Sequence, residues 1–140
     1  MTYLKTITYL LITTILLNAC EKDTDKTSNN SPVEDPIIGN YTGIISVQIN
    51  GTLDAGGAYN ASNSETKTVE ITKLNQKYFL NGDSLSGGPT VYSLSKNGED
   101  FLISSTNKSI QYASTWKGFG NYGGGKGNYT INKSGVLLKN

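Results

Sequence analysis

Side chains able to hold a ligand gather near the end of the chain, in Lys117-Gly118-Phe119-Gly120-Asn121-Tyr122-Gly123-Gly124-Gly125-Lys126-Gly127. Trp116, Phe119 and Tyr122 offer aromatic faces that stack on sugars or other flat groups, while Lys117 and Lys126 attract anions. The interspersed glycines let a partner approach the backbone closely. Tyr112 and Tyr129 flank the segment, Lys108, Lys133 and Lys139 extend its charge, and no acidic residue lies beyond Asp100. Trp116, Lys117, Phe119, Tyr122 and Lys126 are therefore the expected ligand-binding residues, at a rim of the fold. The competing reading assigns Tyr112 and Trp116 to the core and leaves residues 118–127, six of them glycine, as a flexible hairpin loop.

The same segment spells two nucleotide motifs in part. Gly118-x-Gly120-x-x-Gly123 imitates a dinucleotide fingerprint, and Gly120-x-x-x-x-Gly125-Lys126 imitates a phosphate loop. Both need a following helix whose N-terminus faces the phosphates, yet strand-like Asn128-Tyr129-Thr130-Ile131 follows, and Gly127 stands where Ser or Thr is required. Histidine is absent, and all 12 basic residues are lysine. Without imidazole the chain lacks the usual neutral-pH general base and the commonest metal ligand, and without guanidinium it lacks the fork that grips phosphates. Asp54, Glu65, Asp83, Glu99 and Asp100 fall in or beside expected turns, and Glu70 on the outward face of a strand, so nothing marks a desolvated catalytic carboxylate. No enzyme activity, metal or cofactor is expected. Nucleic acid is a poor partner for residues 37–140, whose nine lysines face six acids.

The remaining reactive residue is the only cysteine, Cys20. A cation at Lys5 precedes the apolar run Ile7-Thr8-Tyr9-Leu10-Leu11-Ile12-Thr13-Thr14-Ile15-Leu16-Leu17, which suits an export leader and is too short to span a bilayer. Leu17-Asn18-Ala19-Cys20 resembles the lipobox of bacterial lipoproteins. That resemblance implies a signal peptide over residues 1–19, removed before a Cys20 that carries acyl chains. Two or three chains anchor firmly where one holds marginally. Residues 20–36 then read as a polar tether, rich in acids, Ser, Thr and Asn, with too little apolar surface to fold. Cys20-Glu21-Lys22-Asp23 resembles the export signal of surface lipoproteins of the Bacteroidota, which implies display on the outer membrane; an inner-leaflet tether is the alternative.

Residues 37–140 alternate with a period of two, and no segment makes a convincing helix. Ile45, Val47 and Ile49 share one face of a strand over residues 41–50. Val69 and Ile71, Tyr92 and Leu94, Phe101 and Ile103, and Ile110, Tyr112 and Trp116 mark four more inward faces. Residues 77–80, 128–131 and 136–138 are shorter candidates, making about eight strands. Asn50-Gly51, Asn81-Gly82 and Asn97-Gly98 each suit a tight hairpin turn, and residues 52–65 read as a long loop. Gly39-Asn40-Tyr41-Thr42-Gly43-Ile44 and Gly127-Asn128-Tyr129-Thr130-Ile131 resemble each other and are expected to be neighbours if the ends of the chain meet. Short spacing forces antiparallel neighbours, so the expected fold is all-β: a small up-and-down barrel, with a β-sandwich as the alternative.

An early Gly-x-Tyr-x-Gly strand, the alternating Thr68-Val69-Glu70-Ile71-Thr72 run, short hairpins and a lipidated N-terminus together resemble the small lipocalin-like or calycin-like lipoproteins of the Bacteroidota. The resemblance implies a non-catalytic envelope protein that binds a small apolar or glycan ligand. The other expectation is a filled barrel that only presents surfaces to other envelope proteins. With 104 residues and short strands, a deep ligand cavity is not expected.

Overall fold

The computed structural model describes residues 35–140; the expected leader over residues 1–19, Cys20 and the rest of the expected tether up to residue 34 lie outside the described residues. The chain folds as nine antiparallel strands: β1 Gly39–Leu53, β2 Ala58–Leu74, β3 Lys77–Leu80, β4 Asp83–Ser84, β5 Ser86–Gly87, β6 Val91–Lys96, β7 Glu99–Ser104, β8 Ser109–Asn121 and β9 Lys126–Lys139. They form one sheet in the order β4-β3-β2-β1-β9-β8-β7-β6-β5. Its two edge strands are consecutive in the chain, separated only by Leu85, so the sheet must curl until its edges nearly meet. The result is a nearly closed up-and-down barrel with β1 and β9 paired at the middle of the sheet. Across the seam Tyr78 packs edge-on against Tyr92 with ring centroids 4.9 Å apart, and Lys96 reaches Asp83 at 2.6 Å.

Alternation builds the core. Tyr41 and Ile45 of β1, Val69 and Ile71 of β2, Leu80 of β3, Phe101 and Ile103 of β7, Ile110 and Tyr112 of β8 and Leu137 of β9 are all buried in one cluster, with Tyr92 and Leu94 of β6 packed against it. Ile37 plugs the lower end, where its carbonyl accepts a hydrogen bond from the Tyr41 hydroxyl at 2.9 Å. Asp35 secures that plug by accepting from Lys73 at 2.8 Å and from the Tyr78 hydroxyl. The inward faces expected for the alternating runs are those observed.

Turn chemistry holds at two of the three Asn-Gly pairs. Asn81-Gly82 and Asn97-Gly98 have positive φ at both residues, as a type I′ turn requires. Asn50-Gly51 instead lies within β1, and the chain reverses through residues 54–57. Residues 58–65, expected as loop, belong to β2. They lack an apolar pattern because Ser62, Asn63, Ser64 and Glu65 are exposed and β2 pairs there with β1 alone. The expected flexible loop over residues 118–127 is likewise mostly strand: only residues 122–125 connect β8 to β9. Residues 128–131 and 136–138 are parts of the single strand β9. The two similar segments lie on paired strands but at opposite ends of the pair, since antiparallel register sets Tyr41 against Lys139 and Leu53 against Gly127.

Four strands outrun the barrel. β3 pairs with β2 only over residues 71–74, and β7 with β8 only over residues 109–114. Above that level β2, β1, β9 and β8 continue as a four-stranded flap, which on β8 runs over residues 115–121, about 20 Å at about 3.3 Å per residue.

Candidate functional site

Two successive rows of residues cross the inner face of the flap. Ala61, Ile49, Ile131 and Trp116 form the lower row; Tyr59, Gly51, Tyr129 and Gly118 form the upper one. The glycines are the reason the rings fit. A Cβ on Gly51 would lie 2.4 Å from the Tyr129 ring, one on Gly118 2.5 Å from the Trp116 ring, and one on Gly120 2.7 Å from the Tyr122 ring. Each ring lies where a neighbouring side chain would otherwise stand, which explains why a glycine-rich run can be strand. Trp116 meets Tyr122 at 5.7 Å, Tyr122 meets Tyr129 at 5.1 Å and Tyr59 meets Tyr129 at 5.9 Å, all edge-on. The Tyr129 hydroxyl bonds the connecting loop, donating toward the Tyr122 and Gly125 carbonyls at 3.2 and 2.5 Å.

This arrangement divides the five expected ligand residues between two surfaces. Trp116 and Tyr122 belong to the inner face, where Trp116 is still 43% exposed. Lys117 and Phe119 alternate with Trp116 and so project from the outer face, as does Lys126, which pairs with Asn121. Phe119 is 59% exposed. Of Tyr112 and Trp116, the alternative core pair, only Tyr112 is buried in the barrel core.

On the outer face the register assembles polar neighbours that the spacing could not reveal. Asn60, Asn50, Thr130 and Lys117 form one row across the four strands, and Thr52, Asn128 and Phe119 lie in the next. These rows line an open groove of about 460 Å³ with Phe119 beside it. Three carboxamides, two hydroxyls and an ammonium supply both donors and acceptors in close array. Lys117 and Lys126 enter none of the four ion pairs among the described residues. The signal for Asn50, Asn60 and Asn128 lay in strand pairing between residues far apart in the chain.

A charged belt separates the flap's inner face from the barrel core. Lys67 donates to Glu99 at 2.6 Å, spanning the opening from β2 to β7, and the Tyr112 hydroxyl donates to the same carboxylate oxygen at 2.7 Å. Lys67 also sits 4.2 Å from the centre of the Tyr112 ring. Burial pushes the Glu99 carboxyl up, but the bonds from Lys67 and Tyr112 outweigh it and hold the group below its ordinary value. Burial likewise presses Lys67 down, and Glu99 more than restores it. Lys133 pairs with Glu65 at 2.8 Å on the same inner side. Lys67 and Tyr112 thus hold the Glu99 carboxylate ionised, the opposite of the state that a general acid needs. No cluster of three potential metal-ligating residues occurs among the described residues.

The barrel interior is filled by side chains, so it has no room of lipocalin type. The larger grooves lie outside; one of about 540 Å³ runs over the outer wall of β6, β7, β8 and β9 beside Leu102, Ala113 and Val136. No known protein family, curated protein or solved structure matches this chain.

Proposed function

We propose that this chain is a lipoprotein of the bacterial cell envelope, lipocalin-like in build, held by acyl chains on Cys20 and displayed on the outer membrane. It is a non-catalytic module that binds a glycan on the outer face of the flap. The observation that carries this reading is the groove in which Asn50, Asn60, Asn128, Thr52 and Thr130 lie beside exposed Phe119. Sugars present rows of hydroxyls and an apolar ring face, and this surface offers amides for the first and a phenyl ring for the second. Lys117 and Lys126 favour a glycan that carries negative charge. The side chains that fill the barrel favour a ligand on an open surface over an enclosed one.

The test is a glycan array probed with the mature protein, with Phe119→Ala and Asn128→Ala alongside. Binding to anionic glycans that both substitutions weaken, with unchanged circular dichroism, supports the reading. Silence across the array rejects it. Palmitate labelling separately checks Cys20, and labelling must vanish in Cys20→Ser.

The second reading, a protein-interaction module, draws on a specific feature. Ile44, Leu138, Val136, Leu102 and Val91 are 46% or more exposed on the outer wall, an apolar band rare on a solitary surface.

A further inference from the structure

The flap has two unpaired edges, and they are defended differently. β2 runs without a partner on its outer side below residue 71, and its inward positions there include Glu65 and Lys67. Inward-pointing charges on an edge strand are a recognised obstacle to adding another strand, because the newcomer would bury them. β8 has no such defence. Above residue 114 its inward positions are Trp116, Gly118 and Gly120, none of them charged.

The backbone of β8 is also turned the right way. Thr115 donates its N–H to Gly98 at 3.3 Å on the β7 side, and the Lys108 carbonyl accepts from Lys139 on the β9 side. Odd-numbered residues of β8 therefore direct their N–H and C=O groups away from β9. Beyond Thr115 these are Lys117, Phe119 and Asn121, which have no strand to pair with among the described residues. Their amides and carbonyls form a ready template about 20 Å long for one further strand.

We infer that the free edge of β8, from Trp116 to Asn121, captures an extended acidic segment of a partner polypeptide by strand addition. An added strand alternates its side chains between the two faces of the sheet, and it is the ligand shape that meets Trp116 on one face and Lys117 and Phe119 on the other. On the inner face, apolar side chains of the partner fill the space over Gly118 and Gly120 beside the Trp116 ring. On the outer face, a carboxylate answers Lys117 and an apolar group covers Phe119. Charge complementarity selects an acidic partner: Lys117 and Lys126 lack ion-pair partners among the described residues, and no acid follows Asp100 in the chain. A second copy of the same edge offers Lys117 no acidic residue, which leaves its charge unanswered and disfavours self-pairing. This inference shares Lys117 and Phe119 with the glycan reading but differs from it in using the backbone of β8 in place of the amides of the groove.

The experiment selects a displayed library of linear random octapeptides against the mature full-length protein, then follows the best peptide by amide exchange and titration. The expected peptides alternate acidic and apolar residues. Binding should slow exchange at Lys117, Phe119 and Asn121 and leave Gly118 and Gly120, already turned toward β9, unchanged. Phe119→Pro removes a single outward N–H, which an edge strand tolerates, and should weaken binding about fivefold or more relative to Phe119→Ala. Lys117→Glu should shift selection away from acidic peptides, while Asn128→Ala should leave peptide binding intact whether or not it abolishes glycan binding. Failure to enrich any peptide, protection away from residues 117–121, equal affinity of the Pro and Ala variants, or protection explained by dimerisation in sedimentation would each overturn the inference. If Phe119→Pro unfolds, the alternating protection pattern in the unmutated protein decides alone.

Discussion

The same four strands pass through the closed barrel and the flap, yet the two regions are held by different means. In the barrel, β-branched and aliphatic residues such as Ile45, Ile71, Ile103, Ile110 and Leu137 point inward and meet from all sides of the closed wall. In the flap there is no opposite wall. Cover comes from within the sheet, as Trp116, Tyr122, Tyr129 and Tyr59 fold over neighbouring glycines. A closed wall rewards side chains that project straight inward, whereas an open sheet rewards rings that lie down and glycines that admit them. The charged belt of Lys67, Glu99, Lys133 and Glu65 marks the boundary.

The comparison breaks most sharply at the core. Leu137→Ala, at a fully buried position, should cost about 2–5 kcal/mol and lower the urea midpoint of the whole domain. A loss confined to the flap would show that the barrel is not the stabilising unit. Tyr122→Ala removes two ring contacts, each contributing about 0.5–1.5 kcal/mol. Its expected effect is faster amide exchange in the upper parts of β8 and β9 with little change around Ile103 and Ile110; uniform acceleration would join the two regions into one cooperative unit. The smallest effect belongs to the belt. Glu99 has a folded pKa below its ordinary 4.5, so its contribution is present above that value and fades as pH falls through the folded one. With part of the pair in solvent, the contribution is under about 1 kcal/mol, and Glu99→Gln should flatten the acid limb of a stability–pH curve by that amount. An unchanged acid limb would show that the belt only marks the boundary.

The closed region was legible in the sequence because β1, β2, β6, β7 and β8 carry a period-two apolar pattern there and because Asn81-Gly82 and Asn97-Gly98 name their turns, whereas the two-residue strands β4 and β5 have no apolar residue to announce them. The flap was legible only in part. Trp116, Phe119 and Tyr122 stood out by type, but their division between faces depends on strand continuing to Asn121 through Gly118 and Gly120. Residues 58–65 hid as loop because a strand with one neighbour and two wetted faces has no need of apolar alternation. The groove amides Asn50, Asn60 and Asn128 come from three strands, and only register unites them.

One feature of the topology reaches into biogenesis. The chain makes two meanders, β1 to β4 and β5 to β9, and apart from the link at Leu85 they join where the first strand meets the last. Neither meander can complete the cylinder alone, and the decisive pairing spans nearly the whole domain, the kind of distant contact that forms slowly. A polypeptide still emerging, lacking its final fourteen-residue strand, cannot shut prematurely into the finished shape.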